Sequence, residues 1–217
     1  MIINALKEYK FQIVLFAVSN LILTPLTSSV LGLEMSLVGL INLSILVGAS
    51  LITAVRRIPR NMVLGIGITT LILVWLEYFM GDNMSLISGR MLCTLLLYTI
   101  LGYILIRNFL DAPKVNVQVI VGAMSGFMVL GLIGGTMFEI LEFTYPGSFV
   151  LDNFQGAYDY YYYSFITLVT VGFGDVLPNT AAAKSLTIIL SLFGQFYMTI
   201  GIALFVGKHL YERSNPT

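Results

Sequence analysis

The sequence predicts an all-α membrane protein with six transmembrane helices and a re-entrant loop between the last two. Hydrophobic residues make up 58% of the 217 residues and charged residues only 10%, with a mean hydropathy of +0.92. A soluble domain has about 25% charged residues. Six apolar segments reach the length of about 20 residues that a bilayer crossing needs; they cover residues 11–31, 36–55, 62–80, 85–106, 115–143 and 181–207.

The first apolar segment contains a proline that predicts a kinked helix. Pro25 has no backbone N–H to donate, and its ring crowds the preceding helical turn. Asn20, Thr24 and Thr27 lie close to it along the chain. We expect the threonine side chains or a neighbouring helix to satisfy the backbone groups that the kink frees.

The fifth apolar segment carries two pairs of glycines spaced four residues apart. These pairs are Gly122 with Gly126 and Gly131 with Gly135. Small residues at this spacing let two helices approach closely. We therefore predict close helix packing at both pairs and assign them no part in the chemistry.

The longest connection, residues 144–180, is too short and too polar to cross a membrane twice. We predict a half-helix over residues 157–169, followed by an irregular strand that returns outward. Non-helical backbone at membrane depth is tolerated only where protein buries it or where it lines a water-filled path. The connection therefore predicts a re-entrant pore loop.

The half-helix is followed by the letters TVGFGD, which begin at Thr170. A dehydrated cation needs oxygens in place of its water, and consecutive backbone carbonyls can supply them if all point inward. Gly172 and Gly174 tolerate the backbone conformations that this arrangement requires. Val171 and Phe173 can then turn outward and pack behind the strand, while the Thr170 hydroxyl lies at its inner mouth.

A longer stretch around these letters resembles the pore region of potassium channels. Residues 161–178 are similar to the pore helix, selectivity filter and outer mouth of that family, whose filter reads TVGYG. Residues 191–197 resemble the inner helix of its prokaryotic members. The likeness is specific over residues 155–208 and implies a prokaryotic potassium channel of the six-span, voltage-gated-like architecture.

The resemblance implies passive potassium conduction rather than catalysis. Thr170, Val171, Gly172, Phe173 and Gly174 would form the filter, with potassium as the permeant ion and no cofactor. One chain supplies one filter strand, so the resemblance implies a homotetramer with four strands on one axis. Membrane lipids are the other expected partners, and the net charge of zero suggests no nucleic acid.

At the outer mouth, the resemblance implies a hydrogen bond between Asp175 and the pore-helix residue Tyr162. The family usually has tryptophan where this chain has Tyr162 and Tyr163, and tyrosine where it has Phe173. Ile166 occupies a position where some relatives carry a buried glutamate behind the filter. Selectivity should survive these departures because the carbonyls belong to the backbone, whereas filter rigidity and inactivation should change.

Two residues near the filter have two open interpretations each. Gly194 lies where related inner helices carry a gating hinge, and its alternative role is close packing against the fifth span. A glycine inside a helix costs about 1 kcal/mol relative to alanine, so it usually has a reason. Thr167 either supports the filter from behind or is an ordinary helical threonine.

Residues 1–110 are predicted to form a voltage-sensor-like domain and residues 111–217 the pore domain. The fourth span of a voltage sensor carries a basic residue at every third position. Here only the first of that series is charged; the series is Arg90, Cys93, Leu96, Thr99, Gly102 and Leu105. Arg90 lies near the outer end and is expected to pair with Glu77. We therefore predict weak voltage dependence.

The basic residues predict the orientation, since they concentrate on the cytoplasmic side of membrane proteins. Nine of the eleven lie on one side of the predicted spans: Lys7, Lys10, Arg56, Arg57, Arg60, Arg107, Lys114, Lys208 and Arg213. This pattern predicts a multi-pass protein of the plasma (inner) membrane with both termini in the cytoplasm. The filter loop then faces outward.

Three other functions compete with a selective channel. A less selective monovalent cation channel would be expected if the filter aromatic or the second glycine differed. A potassium transporter subunit usually repeats the pore unit within one chain, and this chain has one. A non-conducting accessory subunit fits poorly with an intact filter.

Overall fold

The computed structural model describes residues 9–53, 60–81, 83–112, 116–151 and 156–214. These residues form helices and one small sheet: α1 (Lys10–Ile22), α2 (Thr24–Leu31), α3 (Met35–Thr53), α4 (Arg60–Met80), α5 (Met84–Leu110), α6 (Val117–Thr144), β1 (Phe149–Leu151), α7 (Tyr158–Leu168), β2 (Val176–Pro178) and α8 (Ala181–Ser214). Among the residues used to predict orientation, some lie outside the described ranges: Lys7, Arg56, Arg57 and Lys114.

Five helices are long and apolar enough to cross a membrane, and α1 with α2 makes a sixth if the bent pair counts as one span. They correspond to the six predicted segments. The last helix runs to Ser214, whereas the apolar segment was predicted to end at residue 207. Hydropathy marks where the lipid-compatible stretch ends, but the polar residues beyond it still continue the helix.

The described residues divide into two compact units. The first contains α1 to α5, Asn116 and residues 117–128 of α6. In it α1 and α2 pack on α3, α3 packs on α4, and α4 packs on α5. Its buried core is aliphatic and includes Val14, Val18, Leu46, Leu97 and Leu101.

The first span is broken between α1 and α2, which are bent by 69°, and the predicted kink is confirmed. Pro25 lies in the first turn of α2 and cannot donate to the Leu21 carbonyl. The Thr24 hydroxyl donates to that carbonyl instead, at 2.7 Å. From α3, the amide of the buried Asn42 donates to the Asn20 carbonyl and to the Thr24 hydroxyl, both at 3.0 Å. The carbonyls freed at the kink thus accept hydrogen bonds from a threonine side chain and from a neighbouring helix, the two sources that the sequence predicted.

An ion pair joins α4 and α5. The Arg90 Nε lies 2.6 Å from Glu77 Oε2, so the pairing predicted from the sequence is present. Both side chains are partly buried. Arg90 therefore has a fixed acidic partner within its own unit.

The second unit contains residues 129–144 of α6 together with β1, α7, β2 and α8. Helix α7 packs on α8, and β1 pairs antiparallel with β2 so that Phe149 faces Pro178 and Leu151 faces Val176. With 11 residues, α7 is about 16 Å long, which is roughly half the hydrocarbon thickness of a bilayer.

The compact units divide α6, whereas the predicted domain boundary between residues 110 and 111 precedes the whole helix. The first half of α6 packs within the first unit: a Cβ at Gly122 would lie 3.3 Å from the Phe11 ring. The division into a sensor-like domain and a pore domain stays a prediction.

Candidate functional site

Helix α7 ends at Leu168 in a tight C-terminal cap that sets the start of the TVGFGD segment. The Thr170 N–H donates to the Thr167 carbonyl at 3.0 Å, and the Val171 N–H donates to the Ile166 carbonyl at 2.9 Å. Together with the left-handed φ of 61° at Thr170, these bonds form a Schellman motif. The Gly172 N–H also reaches the Ile166 carbonyl, at 3.2 Å. The backbone is therefore held to the helix that precedes it.

The sign of φ alternates along the segment. Thr170, Gly172 and Gly174 have φ values of 61°, 54° and 83°, and among the described residues Thr170 is the only non-glycine with positive φ. Alternating left- and right-handed residues turn successive peptide groups to the same side of the chain. The sequence predicted the unusual conformation at both glycines but not at Thr170. A threonine gives no signal there, because this cap position normally holds glycine or asparagine.

The side chains of the segment are uncovered within one chain. Val171 is 52% exposed and Phe173 is 73% exposed. The predicted packing of these two side chains behind the strand is therefore not made by their own chain.

The segment ends at a hydrogen bond between the two residues that the sequence paired. The Tyr162 hydroxyl donates to Asp175 Oδ2 at 2.7 Å. This bond raises the pKa of the Tyr162 phenol to about 12, since the neighbouring carboxylate stabilises the protonated donor. A phenol is protonated at physiological pH even at its ordinary pKa of about 10, so the donor to Asp175 is always present.

The sheet of β1 and β2 secures the chain directly after Asp175. The Glu142 carboxylate accepts from the Gly147 N–H at 2.7 Å and from the Phe149 N–H at 3.0 Å, which fixes the loop that leads into β1. The Asn179 N–H donates to the Ser148 carbonyl at 2.8 Å on the other side. Sequence reasoning missed this clamp, because three-residue strands and a carboxylate bound to loop N–H groups leave no periodic pattern.

Glycines on α6 form a groove that receives α7. A Cβ at Gly135 would lie 2.8 Å from the Tyr161 Cα, and one at Gly131 would collide with the Phe165 ring. The Ser164 hydroxyl donates to the Gly131 carbonyl at 2.7 Å. The close packing predicted for Gly131 and Gly135 is thus present, and its partner is the short helix α7.

Three further sequence candidates lie in α7 or against it. A Cβ at Gly194 on α8 would lie only 2.6 Å from the Leu168 carbonyl oxygen, so this glycine permits a close approach to the end of α7. The sequence anticipated packing against the fifth span as the alternative to a hinge, and the contact is with α7 instead. Thr167 and Ile166 are buried. Both line a cavity of about 290 Å³ next to the TVGFGD segment.

Comparison with known proteins finds similarity in the region that contains this site. Residues 126–208, less than half of the chain, match a family model described as "Ion channel" (Ion_trans_2). The two-pore potassium channel 4 of Arabidopsis thaliana is 39% identical over 56 residues, which are 24% of this chain and 20% of the relative. The chain therefore aligns with about a fifth of the length of this plant protein. No solved structure matches the chain significantly.

Of these matches, the family model covers residues 126–208, which include most of the second unit. Together with helices that are long and apolar enough to span a bilayer, they indicate a multi-pass membrane protein related to ion channels and point away from an enzyme. The match to a potassium channel supports the resemblance to the potassium-channel family.

The contact between Gly194 and Leu168 predicts a loss of stability on adding one methyl group. We expect Gly194→Ala to lower the free energy of unfolding by about 1–3 kcal/mol, because the new Cβ meets backbone that cannot move aside. Gly201→Ala on the same helix meets nothing within 4 Å and should be neutral or stabilise by up to about 1 kcal/mol. Unfolding in mixed detergent micelles measures both. Equal stability of the two variants would show that Gly194 is not needed for packing.

Proposed function

We propose that this chain is one subunit of a potassium-selective channel that conducts K⁺ passively through a tetrameric pore. The observation that carries the proposal is the alternating backbone of residues 170–174, held at the capped end of a short helix. Peptide groups turned to one side offer a row of carbonyl oxygens, which is the ligand type that replaces the hydration shell of K⁺.

A tetramer supplies what one chain lacks. A single row of carbonyls contacts an ion from one side only, whereas four rows around an axis surround it. Val171 and Phe173 are uncovered within one chain, and neighbouring subunits would bury them. A cyclic arrangement gives all four chains the same contacts.

The half-helix and the charge pattern support a re-entrant topology. Helix α7 reaches only about half-way through a bilayer, and its C-terminal end carries the negative pole of the helix dipole toward the ion path. In this arrangement α1 and α2 form one bent span, the chain crosses six times, and both termini lie on the cytoplasmic side of the inner membrane. Gly194 then serves as the gating hinge, at the level where α8 contacts Leu168 at the end of α7.

The selectivity proposal predicts the effect of a methyl group at Gly174. An alanine at φ 83° meets no neighbouring atom, so its cost is conformational and about 1–2 kcal/mol. We expect Gly174→Ala to relax into another backbone conformation and to lose potassium selectivity or conduction. Ion flux from liposomes under a potassium gradient, with a sodium gradient beside it, measures both properties.

Gly81→Ala is the matched control for this experiment. Gly81 has a similar φ, 75°, and equally open surroundings, but it lies between α4 and α5, away from the residues that hold the filter. The control should lose comparable stability and keep its preference for potassium. A parent protein that passes sodium as readily as potassium would indicate a less selective cation channel. A Gly174→Ala protein that still rejects sodium would refute the filter assignment.

The missing arginine series predicts a shallow response to voltage. Each elementary charge moved through 100 mV contributes about 2.3 kcal/mol, and steep gating needs several charges per subunit. Along α5 the third-residue series holds only Arg90, and its ion pair with Glu77 restrains it. We expect the open probability to change gradually in planar-bilayer recordings and Arg90→Gln to leave the slope unchanged. A steep curve that flattens in Arg90→Gln would mean that α5 is a working sensor.

A further inference from the structure

A part-buried hydrogen bond crosses from α7 to α8 beside the filter segment. The Tyr163 hydroxyl and Thr187 Oγ1 are 3.1 Å apart. The Thr187 hydroxyl has one proton, which it donates to the Ala183 carbonyl at 2.8 Å. Tyr163 is therefore the donor and Thr187 the acceptor.

The ring of Tyr163 is held in place independently of its hydroxyl. It lies between Phe138 on α6 and Phe149 in β1, with ring centroids 5.0 Å and 5.6 Å away. The aromatic contacts fix the direction of the phenol, so the hydroxyl is aimed at α8. Removing the hydroxyl alone leaves the packed ring unchanged.

This hydrogen bond borders the cavity that separates the two helices from the filter segment. The cavity of about 290 Å³ is lined by Tyr163 and Thr187 and, on the filter side, by Thr170, Gly172 and Gly174. The bond therefore lies on a wall that α7, α8 and the filter segment share.

We propose that Tyr163 and Thr187 are positioning residues that form a latch between the pore helix and the inner helix. The latch rests on the proposed channel function. It holds α8 against α7 while the filter is in its conducting conformation, so its loss lets α8 shift and the filter leave that conformation. The expected consequence is faster decay of potassium current during sustained opening.

Single-residue variants test the latch without disturbing the packing. Tyr163→Phe removes the donor and Thr187→Val removes the acceptor, and both keep the side-chain volume. Each should speed the decay of current about fivefold, the change in rate that corresponds to about 1 kcal/mol for a neutral hydrogen bond. The double variant should decay no faster than either single variant, because the same bond is lost in all three.

Matched controls come from the same unit. Tyr145→Phe removes a hydroxyl from an exposed tyrosine, and Thr144→Val removes a donation within one helix, from Thr144 to the Ile140 carbonyl. Both controls should decay like the parent. Decay rates of the single variants that equal the parent's, or effects that multiply in the double variant, would overturn the latch. A parent that passes no potassium would overturn the proposed function, and the latch with it.

Discussion

The cap that joins α7 to residues 170–172 is the constraint on which the site depends. Two N–H groups, from Val171 and Gly172, converge on the single carbonyl of Ile166. They force Thr170 into a conformation that costs an L-residue about 1–2 kcal/mol. Such strain persists only where the surroundings over-determine it. Here the surroundings are the groove on α6, the contact of α8 with Leu168 and the clamp around Glu142.

Each of these supports fixes a different part of α7 and the segment after it. The glycine groove and the Ser164 hydroxyl hold the body of α7, and Gly194 allows α8 to touch its last turn. Beyond the segment, Tyr162 binds Asp175 and the sheet holds β2. The strained strand is thus anchored at both ends, while its side chains stay uncovered within one chain. A backbone held at both ends, with apolar side chains left exposed for neighbouring chains to cover, fits the proposed symmetric pore.

The features predicted from the sequence are those with strong local signals. The long apolar segments, the kink at Pro25 and the pairing of Arg90 with Glu77 follow from hydropathy, proline chemistry and opposite charges, and the structure has all three. The positive φ of Thr170 comes from a cap position that normally holds glycine, and the clamp at Glu142 comes from a carboxylate that accepts from the N–H groups of Gly147 and Phe149. No spacing or composition in one sequence encodes such contacts.

The most direct measurement of the central claim is the position of a heavy potassium analogue in the assembled protein. Crystals grown with Rb⁺ should give anomalous scattering peaks on a four-fold axis, at the level of the carbonyls of residues 170–174. The account predicts several such peaks in a row, each surrounded by oxygens from four chains. Chains that assemble with these segments apart, or an axis without Rb⁺ at this level, would contradict it.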